Sequence, residues 1–333
     1  MKILRATVST AAITVCLISA AFARKAETGF LDRTMSVSGE SYRYQVFVPA
    51  NWDAHRKWPV ILFLHGAGER GDDGLLQTDV GLGHAIRKNA ANFPFVVVMP
   101  QCRKEKIWSD PAMEAQALAV LDRTTKEFHG DPSRTYLTGL SLGGYGIWDL
   151  AAKYPWIDLD KVGIYGHSGG GNATGAAMFH NPDFFKVGIA ESGNHDQRDY
   201  EDDWAEKWAG LEVKNADGTS NYDSQANQNF VKNLKGKLLL AHGTMDNNVP
   251  LNNTLLVVEA LIKANKDFDL LIIPNVAHGY GEASQYMARR RWDYFVKNLE
   301  GNIPPHEYEM KSYASVMAAM RGGPDDADDE FEQ

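Results

Sequence analysis

Cysteine is almost missing from this chain. Of 333 residues only Cys16 and Cys102 are cysteines, and Cys16 falls within a leader, so the mature protein is expected to keep Cys102 alone. That excludes an internal disulfide framework, and stability must come from a packed core. Excess positive charge is missing too: 34 Lys and Arg against 43 Asp and Glu give a formal net charge of −9. No nucleic-acid partner is expected, because phosphate binding needs a concentrated basic surface. Nor is there an apolar run long enough to cross a bilayer. The nearest candidate, ATVSTAAITVCLIS, is short and broken by Thr7, Ser9, Thr10 and Thr14. With MKILR before it and AFA after it, it reads as a signal peptide over residues 1–23, cut after Ala23. A periplasmic or secreted protein without stable membrane insertion is expected. The histidines show no metal-ligand spacing, so neither metal nor cofactor is expected.

What is present is apolar material and glycine: 44% of residues are hydrophobic and 30 are glycine, which suits a turn-rich α/β protein. SYRYQVFVPA alternates as a half-exposed strand does. WPVILFLHG and FPFVVVMPQ are short β-branched runs of the kind buried on both faces of a sheet. A helix is expected from Ala112 to Phe128, stopped by HGDP. RTYLTGLS, a helix, KVGIYGHS, a second helix, KVGIAESG, KLLLAHG and FDLLIIPN follow in turn. Such alternation predicts a doubly wound, mostly parallel sheet with helices on both faces. Residues from Gly193 to Lys235 interrupt it with polar and aromatic sequence. Loops at the carboxyl ends of strands line the crevice in such sheets, so this insertion is expected to be pocket wall. Residues 311–333 are acidic and patternless, and are expected to form a disordered tail.

The pattern G-x-S-x-G occurs twice, as GLSLG around Ser141 and GHSGG around Ser168. Each lies between a strand and a helix, the setting of a nucleophile elbow, where glycines permit a strained turn that lifts the serine hydroxyl. A serine hydroxyl needs a histidine to take its proton and a carboxylate to hold the imidazole. LLLAHGTMDNNVP puts Asp246 just past a buried strand, and LLIIPNVAHGYG puts His278 just past the next. The other histidines, such as His129 and His180, are expected at the surface or at helix ends. Ser141 and Ser168 are one strand-helix-strand step apart, so they crown different strands at least ~5 Å apart. An imidazole must come within ~3 Å of the hydroxyl it activates. Only one serine can therefore meet the pair, and the strand count favours Ser168.

At these residues the chain resembles two families. From about Ser41 to Pro155, WPVILFLHGAGERGDD, FPFVVVMPQC and RTYLTGLSLGGYGIWDLAAKYP are similar to secreted esterases of the feruloyl and acetylxylan type. From about Tyr154 to Glu309, YPWIDLDKVGIYGHSGGG, ESGNHDQRDYEDDW, NLKGKLLLAHGTMDNNVP and RRRWDYFVKNL resemble the catalytic domain of the prolyl oligopeptidase family, in its dipeptidyl-peptidase branch. Both resemblances imply the α/β-hydrolase fold, here as one domain over residues 24–310 with one duplicated strand-helix unit. The peptidase resemblance implies Ser168 as nucleophile, Asp246 as acid and His278 as base. It also implies Gly169 as an oxyanion N–H donor, Asn248 at the substrate carbonyl, and Tyr200, Trp204 and Val249 lining the pocket. The esterase resemblance implies Ser141 as nucleophile and Ala67 at its oxyanion hole. Where the dipeptidyl-peptidase branch carries a β-propeller that binds the substrate's amino terminus, this sequence carries esterase motifs.

Three readings stay open at this stage: a serine peptidase using Ser168 on peptides, a carboxylesterase using Ser141 or Ser168 on acyl esters, and a recombined chain with no working triad. The peptidase resemblance also implies pairing of two copies as a homodimer.

Overall fold

The structure is a computed structural model in which residues 27–310 are described. The leader and the acidic tail expected from the sequence lie outside those residues. The chain divides into two compact units, Met1–Lys153 and Tyr154–Gln333.

In the first unit, β1 (Gly29–Val37) and β2 (Glu40–Val48) form an antiparallel hairpin. Ser38 and Gly39 close it with φ of 52° and 89°, the paired positive angles of a two-residue turn that matches strand twist. β3 (Trp58–Leu64), β4 (Val96–Pro100) and β5 (Gly130–Gly139) complete a sheet of order β1-β2-β4-β3-β5. β3 is parallel to both β4 and β5. Parallel neighbours need crossovers, which α1 (Gly81–Lys88) and α2 (Pro111–Glu127) supply; α3 (Leu142–Lys153) leaves the end of β5. Phe47, Phe63, Ile86, Val97 and Met99 make one buried cluster of this unit. The half-exposed strand expected of SYRYQVFVPA is corrected here: every residue from Tyr44 to Val48 is buried, because β2 lies inside the sheet between β1 and β4 with α2 against it.

The second unit is regular. β6 (Gly163–His167), α4 (Gly169–His180), β7 (Val187–Glu191), α5 (Asp202–Ala209), β8 (Lys237–Gly243), α6 (Leu251–Lys263), β9 (Asp269–Ile273) and α7 (Ser284–Asn298) follow in order. All four strands are parallel, in the order β6-β7-β8-β9. Val187, Ile189, Leu239, Ala241 and Ile273 from the strands pack on Tyr280, Met287 and Tyr294. A carboxylate is buried against this cluster. Glu191, 1% exposed, ends β7 and takes two hydrogen bonds from Arg291 of α7, at 2.6 and 2.8 Å.

The strands and helices are those of a doubly wound α/β protein, but they form two sheets where the sequence reading placed one. Each sheet ends in its own elbow strand, β5 in the first and β6 in the second. The segment from Gly193 to Lys235 is a knitted wall holding α5 and short helical turns. Arg198 bridges Asp196 and Asp223 across it, at 2.7 Å to each.

Arg291→Met would leave the Glu191 carboxylate buried without its partner. It is expected to cost about 3–5 kcal/mol, read from guanidinium unfolding at neutral pH. A loss below ~1 kcal/mol would show that the pair is dispensable.

Candidate active site

Both serines adopt the elbow. Ser168 has φ 60° and ψ −124° at the head of α4, and Ser141 has φ 52°. Positive φ is strained for any residue with a Cβ and survives only where the surroundings enforce it. The glycines enforce it here. A Cβ on Gly166 would collide with the carbonyl of Gly170, and one on Gly139 with the backbone of Gly143. Ser168 N–H is held by Glu191 O at 2.9 Å, so the turn is tied to the end of β7.

Within the second unit, the loop after β8 presents Asp246. Its side chain is inaccessible to solvent, and four groups surround it. Asn248 N–H and Val249 N–H donate to Oδ1 at 3.0 and 2.9 Å. His278 Nδ1 meets Oδ2 at 2.8 Å, and His242 Nε2 lies 3.3 Å from that oxygen. Burial alone would raise the Asp246 carboxyl, but the hydrogen bonds from His278, Val249 and Asn248 outweigh it and hold the group below its ordinary value. An ionised carboxylate at Nδ1 puts the hydrogen there and leaves Nε2 of His278 as the acceptor, the form a general base needs.

The imidazole of His278 stands beside the elbow. Its ring centroid is 4.5 Å from that of His167, the residue before Ser168, and His167 in turn meets Tyr280 at 5.6 Å. Burial, then the neighbouring His278, pushes His167 down to about 4. It is therefore an uncharged wall at neutral pH. His167, Glu191, Gly279, Tyr280, Ser284 and Arg291 line a cavity of about 280 Å³ behind it.

The expected pocket residues come together. Tyr200 donates its hydroxyl to Asn248 Oδ1 at 3.2 Å. That bond fixes the amide and leaves its NH₂ free to donate to a carbonyl. Trp204 of α5 lies 3.9 Å from where a Cβ on Gly169 would be, so its ring borders the elbow. Tyr200 and Trp204 are in edge contact at 6.4 Å, and Val249 is fully buried.

Ser141 and Ala67 belong to the first unit. Gly66, which precedes Ala67, lies close to Ser141: a Cβ built on it would be 3.7 Å from Ser141 Cβ and 3.1 Å from Glu69 Oε2. The imidazole of that segment is already engaged. His65 is fully buried, with Nδ1 on Gly66 O at 2.6 Å and Nε2 accepting Cys102 N–H at 2.9 Å.

The expectation of surface or capping roles holds for His129 and His180, which are exposed. It is corrected for His65, His195 and His242, all fully buried. Their partners lie far along the chain, which is why local sequence context missed them. His242, four residues before Asp246, had the one available signal. Among the described residues no group of three or more His, Cys, Asp or Glu is placed to hold a metal ion. No helix among them is long and apolar enough to cross a membrane.

Two predictions follow from this geometry. Gly166→Ala should destabilise the protein by about 1–3 kcal/mol through overpacking. Gly170→Ala, with open space at its Cβ, should gain up to ~1 kcal/mol from helix propensity; equal effects in chemical denaturation would refute the tight turn. Burial also holds His195, which accepts Asn227 Nδ2–H at Nδ1, down to about 3. The unfolded chain takes up that proton below pH ~6.5 while the folded one does not. Stability is therefore lost as pH falls, by about 2 kcal/mol between pH 7 and 5 from His195 alone, with His167, His242 and Asp246 acting in the same direction. Unfolding free energies measured at both pH values test this, and a flat profile would contradict it.

Comparison with known proteins divides the chain in the same region as the two units. Residues 146–302 match the sequence profile of the prolyl oligopeptidase family, and residues 36–157 match a profile described as "Putative esterase". The two overlap over residues 146–157. Dipeptidyl peptidase 4 of Trichophyton rubrum is 27% identical over 301 residues, 86% of this chain and 35% of that protein. Human dipeptidyl peptidase 8 is 30% identical over 160 residues, 47% of this chain and 18% of that protein. The solved structure of Porphyromonas gingivalis dipeptidyl peptidase 4 is 22% identical, with a TM-score of 0.47 over 81% of this chain and 35% of that one. The chain thus spans about a third or less of the length of these relatives. Residues that match the esterase profile lead into residues that match the prolyl oligopeptidase family profile, and the latter stretch carries Ser168, Asp246 and His278.

Proposed function

We propose that this protein is a serine hydrolase of the peptidase type, with Ser168 as nucleophile, His278 as general base and acid, and Asp246 as the orienting carboxylate. The observation that carries the reading is the 2.8 Å link from Asp246 Oδ2 to His278 Nδ1, in the unit that also holds the strained Ser168 elbow. The names of the matched relatives add peptides as the substrate class.

In this reading His278 Nε2 takes the Ser168 proton as Oγ attacks the scissile carbonyl. The Gly169 N–H at the head of α4 faces the oxyanion that forms, where one such donor is worth about 100-fold or more in rate. The tetrahedral intermediate collapses when His278 returns its proton to the departing amine, leaving an acyl-serine. Water, deprotonated by the same imidazole, then releases the acid and restores the serine. The Asn248 amide, aimed by Tyr200, holds the next substrate carbonyl, and Tyr200, Trp204 and Val249 receive the side chain before the cut. Esters need less leaving-group protonation than amides, so the same site hydrolyses activated esters as well. The signal-peptide reading of residues 1–23 supports work in the periplasm or the exterior.

A peptide p-nitroanilide and a p-nitrophenyl ester test the proposal together. Both are expected to be turned over, and Asp246→Asn should lower kcat on the order of 10³- to 10⁴-fold with KM little changed. His278→Ala should abolish both activities. Hydrolysis that survives His278→Ala in folded protein would overturn the assignment.

A further inference from the structure

His242 is fully buried and stands at the end of β8, yet the reaction above gives it no part. Its surroundings fix its chemical form. Nε2 is 3.0 Å from Val249 O, and a carbonyl only accepts, so Nε2 carries the hydrogen. Nδ1 is then an acceptor, and the Thr254 hydroxyl lies 2.7 Å from it. Thr254 is itself fully buried, on the first turn of α6. The ring N–H thus bonds the Val249 carbonyl and keeps its positive end 3.3 Å from Asp246 Oδ2.

Val249 is also the residue whose N–H donates to Asp246 Oδ1. One peptide segment is therefore gripped at its N–H by the carboxylate and at its C=O by His242. We propose that His242, clamped by Thr254, is a positioning residue that holds the Asp246–Val249 turn in the one arrangement that brings the carboxylate to His278. The inference rests on the Ser168–His278–Asp246 reading and extends it to a relay from α6 through β8 to the acid.

Removing His242 should therefore loosen the pose of Asp246 and weaken its hold on protonated His278. The other ionisable groups around this pair are His167 from β6, Glu191 from β7 with its Arg291 partner from α7, the buried His195 after β7, Tyr280, and Tyr200 of the pocket wall. None of them contacts His242 by a hydrogen bond among those described, so a His242 variant leaves their own pairings in place.

The test is the rate of fluorophosphonate labelling of Ser168 against pH, in the full chain, for His242→Leu, His242→Gln and Thr254→Val, each first checked for a cooperative thermal transition. His242→Leu is expected to label about ten- to a hundredfold more slowly at its plateau, the scale of one charge-assisted hydrogen bond. Its acid limb should move to lower pH, because the carboxylate no longer supports protonated His278 as well. His242→Gln keeps an N–H donor and should stay within about threefold of the parent, with the parent's limb. Thr254→Val should show the changes of His242→Leu in smaller measure, and it keeps the inference testable if His242→Leu fails to fold. Parent-like labelling and limb in the folded variants would overturn the inference, as would His242→Gln behaving like His242→Leu. Absence of Ser168 labelling in the parent would instead sink the triad reading on which it rests.

Discussion

A carboxylate with no access to solvent governs the second unit. Removing a charge from water costs several kcal/mol unless donors replace the water. Asp246 has those donors from two directions, the backbone of its own turn at one oxygen and two imidazoles at the other. Each of them is fixed by something further out. The turn is fixed by His242, His242 by Thr254, and His278 by the loop after β9. Pocket and acid share an anchor as well: Asn253, next to Thr254 on α6, accepts Asp196 N–H at 2.8 Å and donates to Asp199 O at 2.6 Å. The first turn of one helix thereby holds the wall that presents Tyr200 and the loop that presents the acid.

The two elbows show what local geometry can and cannot decide. Both serines hold a positive φ, and both turns close over glycines that admit no Cβ. Strain of this kind points to function without naming the working copy. The difference lies in what surrounds each. The unit of Ser168 offers an imidazole already oriented by a buried carboxylate, whereas His65, in the segment beside Ser141, has both ring nitrogens engaged by the backbone.

Much of the candidate site was legible in the sequence because its demands are local. G-x-S-x-G announces itself through the glycines that the turn requires, and Asp246 and His278 follow buried strands at whose ends functional loops lie. The division into two sheets was not legible, because strand order is set by pairing between distant segments rather than by the pattern within any one of them. The same holds for β2, whose alternation suggested one wet face until its neighbours covered it. Buried histidines were missed for a related reason. Whether an imidazole can be buried depends on its partners, and Thr254 for His242 or Asn227 for His195 cannot be inferred from the residues on either side.

The most direct measurement is to find which serine is activated. A fluorophosphonate probe bonds to a serine whose hydroxyl is held by a working base, and peptide mass spectrometry locates the tag. The account predicts a tag on Ser168 in the parent and in Ser141→Ala, and none in Ser168→Ala. A tag on Ser141 in the folded parent, persisting in Ser168→Ala, would contradict it.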